Sequence, residues 1–314
     1  MRDTAIGRAR FAEQSRSWKE AYIGWREFIR QQVGSPRTVA RYTQSLLMAE
    51  RHMGMLDIAD IDREVINRFV AARRADKVTN ATIRRDLQAI SSLLSFADDE
   101  GWREGNPAQD KMRKLKEHRD PIALPEEDDF AFVLSRLAPV YADLLRAARA
   151  TGMRQNELVT AERKHFNPRT GALLVKGKGN KQRAIQLSEE AIAIISRQPA
   201  SIACPRIFHV GGKPITQAAF VFSRARRAAQ RAAQKAKRPF VGFRFHDMRH
   251  LYAVEYLRSG GNIYDLQQHL RHSSVKTTEM YLEFLTPEEA EAARRERLDA
   301  GTEAGEEGGT KSGT

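Results

Sequence analysis

Arg154 in TGMRQNEL, Lys178 in KGKGNK, His246 and Arg249 in HDMRH, and His272 and Tyr281 in LRHSSVKTTEMY are residue types suited to attack on a phosphodiester. Arginine grips non-bridging phosphate oxygens through a planar fork of donors. In phosphoryl transfer the reacting phosphate gathers negative charge on its equatorial oxygens, and fixed cations there supply the largest catalytic effect. Arg154 and Arg249 fit that task. A tyrosine can be the covalent nucleophile. Its phenol is mostly neutral at pH 7, and nearby cations favour the phenolate. The leaving oxygen needs a proton, which Lys178 at a hairpin tip can deliver as general acid. Lys181 is its rival across Gly179-Asn180. His272 can hydrogen-bond a phosphate oxygen, and His246 can share that role or help move a proton. Glu157, one helical turn after Arg154, reads as its buttress. His250 reads as a supporting residue that hydrogen-bonds within the site, with core packing the alternative.

A metal centre is the rival reading. His246 and His250 are four apart and His269 and His272 three apart, both compatible with ligands on a helix. Arg249 and Arg271 lie inside those pairs and would oppose a dication, so the expectation is no metal. Tyr252, Tyr256 and Tyr264 compete with Tyr281 as nucleophile, but they occupy apolar helical positions and read as core.

The 314 residues suffice for two domains with real cores. A formal charge of +13 points to a polyanionic partner. No aspartate or glutamate lies between Ala191 and His246, and Arg224, Arg227, Arg231, Lys235 and Arg238 recur three and four apart within that stretch. Alanines at 228, 229, 232, 233 and 236 keep the intervening surface slim. A slim cationic helix can enter a major groove and touch both phosphate walls, with Arg244 adding to the patch. An anionic membrane surface would ask for large apolar residues opposite the charges, and here they are alanines. No stretch approaches the roughly 18 apolar residues of a membrane span, and the N-terminus lacks a secretory core. The single cysteine, Cys204, excludes an internal disulfide and fits a reducing, cytoplasmic setting.

Apolar residues at helical spacing predict four helices at about 17–32, 36–53, 62–75 and 79–100, an N-terminal helical domain over 1–104. Periodicity fades from Glu104 to Pro125, and prolines with Lys111, Arg113, Lys114 and Lys116 suggest a linker over 105–123. A second domain over 124–299 begins with helices to about 161. Short strands at 172–176 and 183–187 flank the Gly177-Lys178-Gly179-Asn180 turn, and helices follow at about 188–197, 216–236, 246–258, 262–270, 274–283 and 287–299. The tail from 300 to 314 is low in complexity and reads as disordered. The fold class is mainly α with a small β-hairpin sheet.

Taken in order, TGMRQNEL, KGKGNKQR, HDMRH and LRHSSVKTTEMY resemble the motif boxes of tyrosine recombinases, the phage-integrase family that includes the Xer recombinases. The resemblance covers about residues 15 to 290. It implies a SAM-like core-binding domain and a catalytic domain forming a C-shaped clamp on double-stranded DNA. Arg154, Lys178, His246, Arg249 and His272 would activate the phosphate and Tyr281 attack it, giving a 3′-phosphotyrosyl ester and a free 5′ hydroxyl without metal or ATP. Recombination would run in a tetramer through a Holliday junction, the helix at 287–299 docking on a neighbouring protomer or folding back on its own. A catalytically silent DNA-binding protein and a type IB topoisomerase-like relaxing enzyme share the pattern. Two positions depart from it. Met248 replaces the usual leucine, a volume-conserving change. Arg271 replaces the usual glycine before the third-box histidine, so that turn has either ordinary φ or strain.

Overall fold

The computed structural model describes residues 16–116, 122–176 and 182–294. The chain divides into two compact units, Met1–Asp120 and Pro121–Thr314.

The first unit contains α1 (Trp18–Gln32), α2 (Pro36–Met53), α3 (Arg63–Ala75), α4 (Asn80–Asp99) and α5 (Pro107–Lys114). The helix starts follow local chemistry. Ser17 and Glu20 form a capping box on α1, Asp62 accepts from the backbone of Glu64 and Val65, and the Thr79 hydroxyl accepts from Thr82. Trp18, Trp25, Leu46, Ile66, Phe69, Leu87 and Leu94 are buried in one core. The Trp25 indole donates to Ser92 at 3.0 Å. Trp102 lies beyond α4 and is half-buried against the same core.

The stretch expected to begin a linker is instead partly folded. Asn106 caps α5, Pro107 occupies its first turn, and Ala108 and Leu115 are buried, so α5 packs on α3 and α4. Its apolar positions are too few to show as a periodicity. Arg84 secures the segment by donating to the carbonyls of Met112 and Leu115.

Three buried charged side chains, Arg103, Asp86 and Arg73, hold this unit. Arg103 spreads its guanidinium over the carbonyls of Ile58, Ile61 and Gly105. Asp86 on α4 accepts from Ser45 at 2.8 Å and from Arg73 at 3.1 Å, with both ionic side chains under one-tenth exposed. Removing one member of such a pair strands the other. Asp86→Ala is expected to cost about 3 kcal/mol, the low end for a broken buried pair because Asp76 still binds Arg73. Chemical denaturation of the full chain measures it.

The second unit opens with α6 (Glu127–Leu134), α7 (Pro139–Thr151) and α8 (Gln155–Thr160). Antiparallel strands β1 (Phe166–Asn167), β2 (Ala172–Lys176) and β3 (Gln182–Gln186) follow in that order in one sheet, with Leu173 opposite Ile185. Alternation buries Leu173, Val175 and Ile185. The hairpin tip, with Lys178 and Lys181, lies outside the described residues. Next come α9 (Glu189–Ser196), a small ribbon of β4 (His209–Val210) and β5 (Lys213–Pro214), then α10 (Ala218–Lys235), α11 (Asp247–Arg258), α12 (Ile263–Leu270) and α13 (Lys276–Glu279). Helix α7 packs against both α9 and α11. The helix expected at 274–283 is only one turn of α-helix. Bonds from Thr278 to Val275, Tyr281 to Thr278 and Phe284 to Tyr281 wind the rest tightly, where β-branched Val275, Thr277 and Thr278 disfavour a long helix. A last helical stretch is described over 287–294, and Ala293 is buried in the cluster that holds Tyr281 and Leu282. The described part of the terminal helix therefore packs on its own unit. No helix among the described residues is long and apolar enough to cross a membrane.

Candidate active site

Helix α7 ends at Gly152 with φ of 62°, and the chain turns directly into Arg154 at the start of α8. A Cβ at Gly152 would lie 2.5 Å from the Tyr252 ring, so this glycine is needed both for its backbone angle and for space. The Arg154 backbone donates to Glu157 at 3.0 Å and its guanidinium lies 3.4 Å from the other Glu157 oxygen. Glu157 is 5% exposed, whereas the Arg154 side chain is 43% exposed. The carboxylate is thus the fixed support and the guanidinium the free hand, as expected from their spacing.

Arg249 on α11 is 2% exposed. It donates to the carbonyl of Gly152 at 2.8 Å and to that of Leu270. One side chain thereby ties the segment before Arg154 to the segment before His272. Burial, then repulsion from Arg154, lowers its pKa to about 10. It stays charged at neutral pH, in a place where an incoming anion would relieve both penalties.

Helix α12 stops at Arg271, which adopts φ 54° and ψ 51°. His272 N–H donates to Gln267 and Arg271 N–H to Gln268, both at 3.1 Å. This is a Schellman ending, with arginine where glycine is favoured. Of the two alternatives the sequence left, the turn keeps its left-handed form and carries the strain. Arg271→Gly is expected to raise stability by about 1 kcal/mol, the cost of a left-handed angle at a residue bearing Cβ. A thermal-denaturation midpoint measures it.

The same turn presents His272. Its Nδ1 is 2.9 Å from the Thr278 hydroxyl, and its ring stacks on Tyr281 at an inclination of 25° with centroids 6.3 Å apart. Tyr281 is 1% exposed, and its hydroxyl is 2.9 Å from Nδ1 of His250. His250 in turn meets His246 edge-on at 5.1 Å. Burial raises the Tyr281 pKa, and the charges of Arg249 and Arg154 only partly offset it. Cations near the phenol were foreseeable from the sequence; the dominance of burial was not. His250 and His272 are each held down to about 4, first by burial, then by neighbouring positive charge. A histidine kept neutral by folding contributes stability that is complete above its ordinary value of 6.5 and is lost as pH falls toward 4. His272→Gln is therefore expected to flatten the fall in melting temperature between pH 7 and 4.

Two residues belong with this group although the sequence reading did not assign them. Arg183 on β3 donates to the carbonyl of His269, lies 3.6 Å from Glu157, and leaves its buried Nε without a hydrogen-bond partner. Alternation along β3 contained the signal, since Arg183 shares the inward face with Ile185. His269 hydrogen-bonds the carbonyl of Thr151 at 2.8 Å and stacks on Tyr252. It and His272 thus face different partners, and among the described residues no cluster of His, Cys, Asp or Glu could hold a metal.

On α10, Ala225, Ala229 and Ala233 are buried while Arg224, Arg227, Arg231 and Lys235 are exposed on the opposite side. None of those four pairs with a carboxylate among the described residues, so the expected cationic face exists over one helix. Arg238 does not belong to it. The helix ends at Lys235, and Arg238 is held by Asp129 at 2.8 Å and lies over the Phe132 ring. Arg244 is likewise paired with buried Asp247 at 2.9 Å, although its side chain is 62% exposed. The acids that balance these two cations come from outside the acid-free stretch.

The Phage integrase family model matches residues 135–286, and the model of the family's N-terminal SAM-like domain matches residues 23–101. Tyrosine recombinase XerC of Lactobacillus leichmannii is 25% identical over 267 residues, covering 79% of this chain and 88% of that protein. Among solved structures, a lambda integrase dimer bound to a COC′ core site superposes with a TM-score of 0.71 at 17% identity, over 85% of this chain and 77% of that one. A lambda integrase tetramer bound to a Holliday junction gives 0.70 at 16% identity, over 86% and 78%. Two family domains matched in sequence order, and a phenol, two arginines and three histidines brought together from the boxes that define the second, lead to one assignment: the chain belongs to the phage integrase family of tyrosine recombinases.

Proposed function

We propose that this protein is a site-specific DNA recombinase that cuts and rejoins strands through Tyr281. The observation carrying this reading is the bridging of Arg249 between the Gly152 and Leu270 carbonyls, which brings Arg154 and His272 to the buried Tyr281 phenol. Arg154 and Arg249 clamp the non-bridging oxygens of the scissile phosphate, Glu157 holds Arg154 in place, and His272 and His246 add hydrogen bonds. The Tyr281 oxygen attacks phosphorus and the 5′ oxygen leaves, protonated by Lys178 from the hairpin. The ester keeps the bond energy, so the reverse attack by a 5′ hydroxyl reseals DNA without ATP.

The exposed cations of α10 bind the duplex, and the SAM-like unit binds DNA as well. Four protomers act on two duplexes through a Holliday junction. The chain works in the cytoplasm on nucleoid DNA.

The test begins with a duplex selected by the full chain from a randomised library and rebuilt with a nick beside the scissile phosphate, so that the cut end diffuses away. An SDS-resistant adduct on the 3′ phosphate, mapped by peptide mass to Tyr281, is the expected result. Binding without an adduct would reduce the protein to a silent DNA binder. Relaxation of any supercoiled plasmid, whatever its sequence, would favour a topoisomerase.

A further inference from the structure

We propose that Arg271 binds a DNA phosphate flanking the scissile one on the cleaved strand. This rests on the reading of the protein as a DNA-cutting enzyme and adds a substrate contact beside its active site. The backbone around Arg271 is held from several sides. Arg183 donates to the carbonyl of His269, Arg249 to that of Leu270 and the Gln267 side-chain amide to that of His272. The main-chain N–H groups of Arg271 and His272 donate to Gln268 and Gln267. All these bonds come from the main chain or from other side chains, so the turn needs nothing from the side chain at 271. Arginine stands there at a cost, since its φ of 54° suits glycine.

The side chain also stands among like charges. It is half-buried and makes no hydrogen bond or ion pair among the described residues. The charge it acts on is Arg183, whose pKa is lowered by burial and, among neighbouring cations, more by Arg271 than by Arg154. Arg154, Arg183, Arg249 and Arg271 have between them one paired carboxylate among the described residues, Glu157. Lys77 and Lys237 follow α3 and α10 with the same left-handed angle, but both are exposed, where the helix dipole alone favours a cation. Arg271 has strain, partial burial and repulsion to offset, and an anion does so. A guanidinium fork matches phosphate oxygens, and the partner read from this site is DNA. The phosphate is a flanking one because the scissile phosphate belongs to other arginines. At His272 and Tyr281, which the reaction places beside phosphorus, the arginines felt are Arg249 and Arg154. Arg271 acts on Arg183 of β3 instead. It lies one residue along the chain from His272, as a neighbouring phosphate lies one sugar along the strand.

The duplex selected by the full chain is rebuilt with an uncharged methylphosphonate at either phosphate flanking the scissile one. At one of these positions the wild type is expected to bind about tenfold more weakly than to unmodified DNA, and Arg271→Gly to show no such difference. On unmodified DNA Arg271→Gly should bind about tenfold more weakly than the wild type, with a salt slope smaller by about one unit. Its melting temperature without DNA should rise at the same time, whereas a merely structural residue would move stability and binding together. Arg271→Lys keeps the charge and should keep the slope. Arg271→Asn is uncharged and tolerates the left-handed angle, so it should match the glycine variant. Glycine and asparagine variants that bind within about twofold of the wild type overturn the proposal. So does a lysine variant with the reduced slope of the glycine one. Methylphosphonate losses in Arg271→Gly as large as in the wild type at both flanking positions, or coupling confined to the scissile phosphate, refute it equally. Failure of the parent reading shows in the unaltered protein, which would then form no Tyr281 adduct on the selected duplex, and the proposal falls with it.

Discussion

Tyr281→Phe is expected to abolish covalent trapping on a nicked suicide duplex, a fall of roughly 10⁴-fold or more, while leaving DNA affinity within about twofold of the wild type. The reasoning joins packing to chemistry. Only the hydroxyl is deleted, and the ring, 1% exposed, keeps its place among Leu257, Leu266 and Leu282. The lost hydrogen bond to His250 costs about 1 kcal/mol, too little to unfold the unit. The hydroxyl is uncharged and adds nothing to the cationic surface that attracts DNA, so binding survives. Tyr252→Phe and Tyr256→Phe serve as controls, because those rings stack on each other at 6.1 Å, away from His250, and both variants should trap normally. Adduct from Tyr281→Phe would place the nucleophile elsewhere.

Arg249→Ala is expected to lose about 3 kcal/mol or more of transition-state stabilisation, a drop of at least about 100-fold in single-turnover cleavage. It should also lower the melting temperature, since the carbonyls of Gly152 and Leu270 lose a charged donor and a cavity opens where the side chain was 2% exposed. Arg249→Lys separates the two effects. A lysine refills much of the volume but cannot reach two carbonyls and a phosphate with one point charge. It should regain stability and remain slow. A lysine variant cleaving at the wild-type rate would show that only the charge at this position matters, not its fork of donors.

The helices were legible because each carries a start signal beside an apolar stripe: Ser17 with Glu20, Asp62, and Thr79 before Ile83, Leu87 and Ile90. Helix α5 escaped because two buried residues, Ala108 and Leu115, make no visible period. The candidate residues Arg154, His246, Arg249, His272 and Tyr281 could be singled out because four short segments keep a recognisable order and spacing. Their wiring was not legible. Asp129 meets Arg238 and Arg183 meets Glu157 only after distant segments pack, and no local pattern encodes such pairings. The angle at Arg271 was open for a related reason: the Schellman bonds to Gln267 and Gln268 impose the left-handed form on a residue that does not prefer it. The burial of Tyr281 was hidden too, since the segment around it read as one helix over 274–283 rather than a series of tight turns.

The two carbonyls bound by Arg249 are 118 positions apart along the chain, at Gly152 and Leu270, and the arginine itself comes from a third segment between them. A strand-breaking reagent that matured piecemeal would be hazardous to a genome, because a half-built copy able to nick and unable to reseal leaves lesions behind. With the role proposed for Arg249, the clamp for the phosphate exists only when all three stretches have closed on one another, so cutting power depends on that closure. A nascent or damaged copy that has lost that closure is disarmed by the same event.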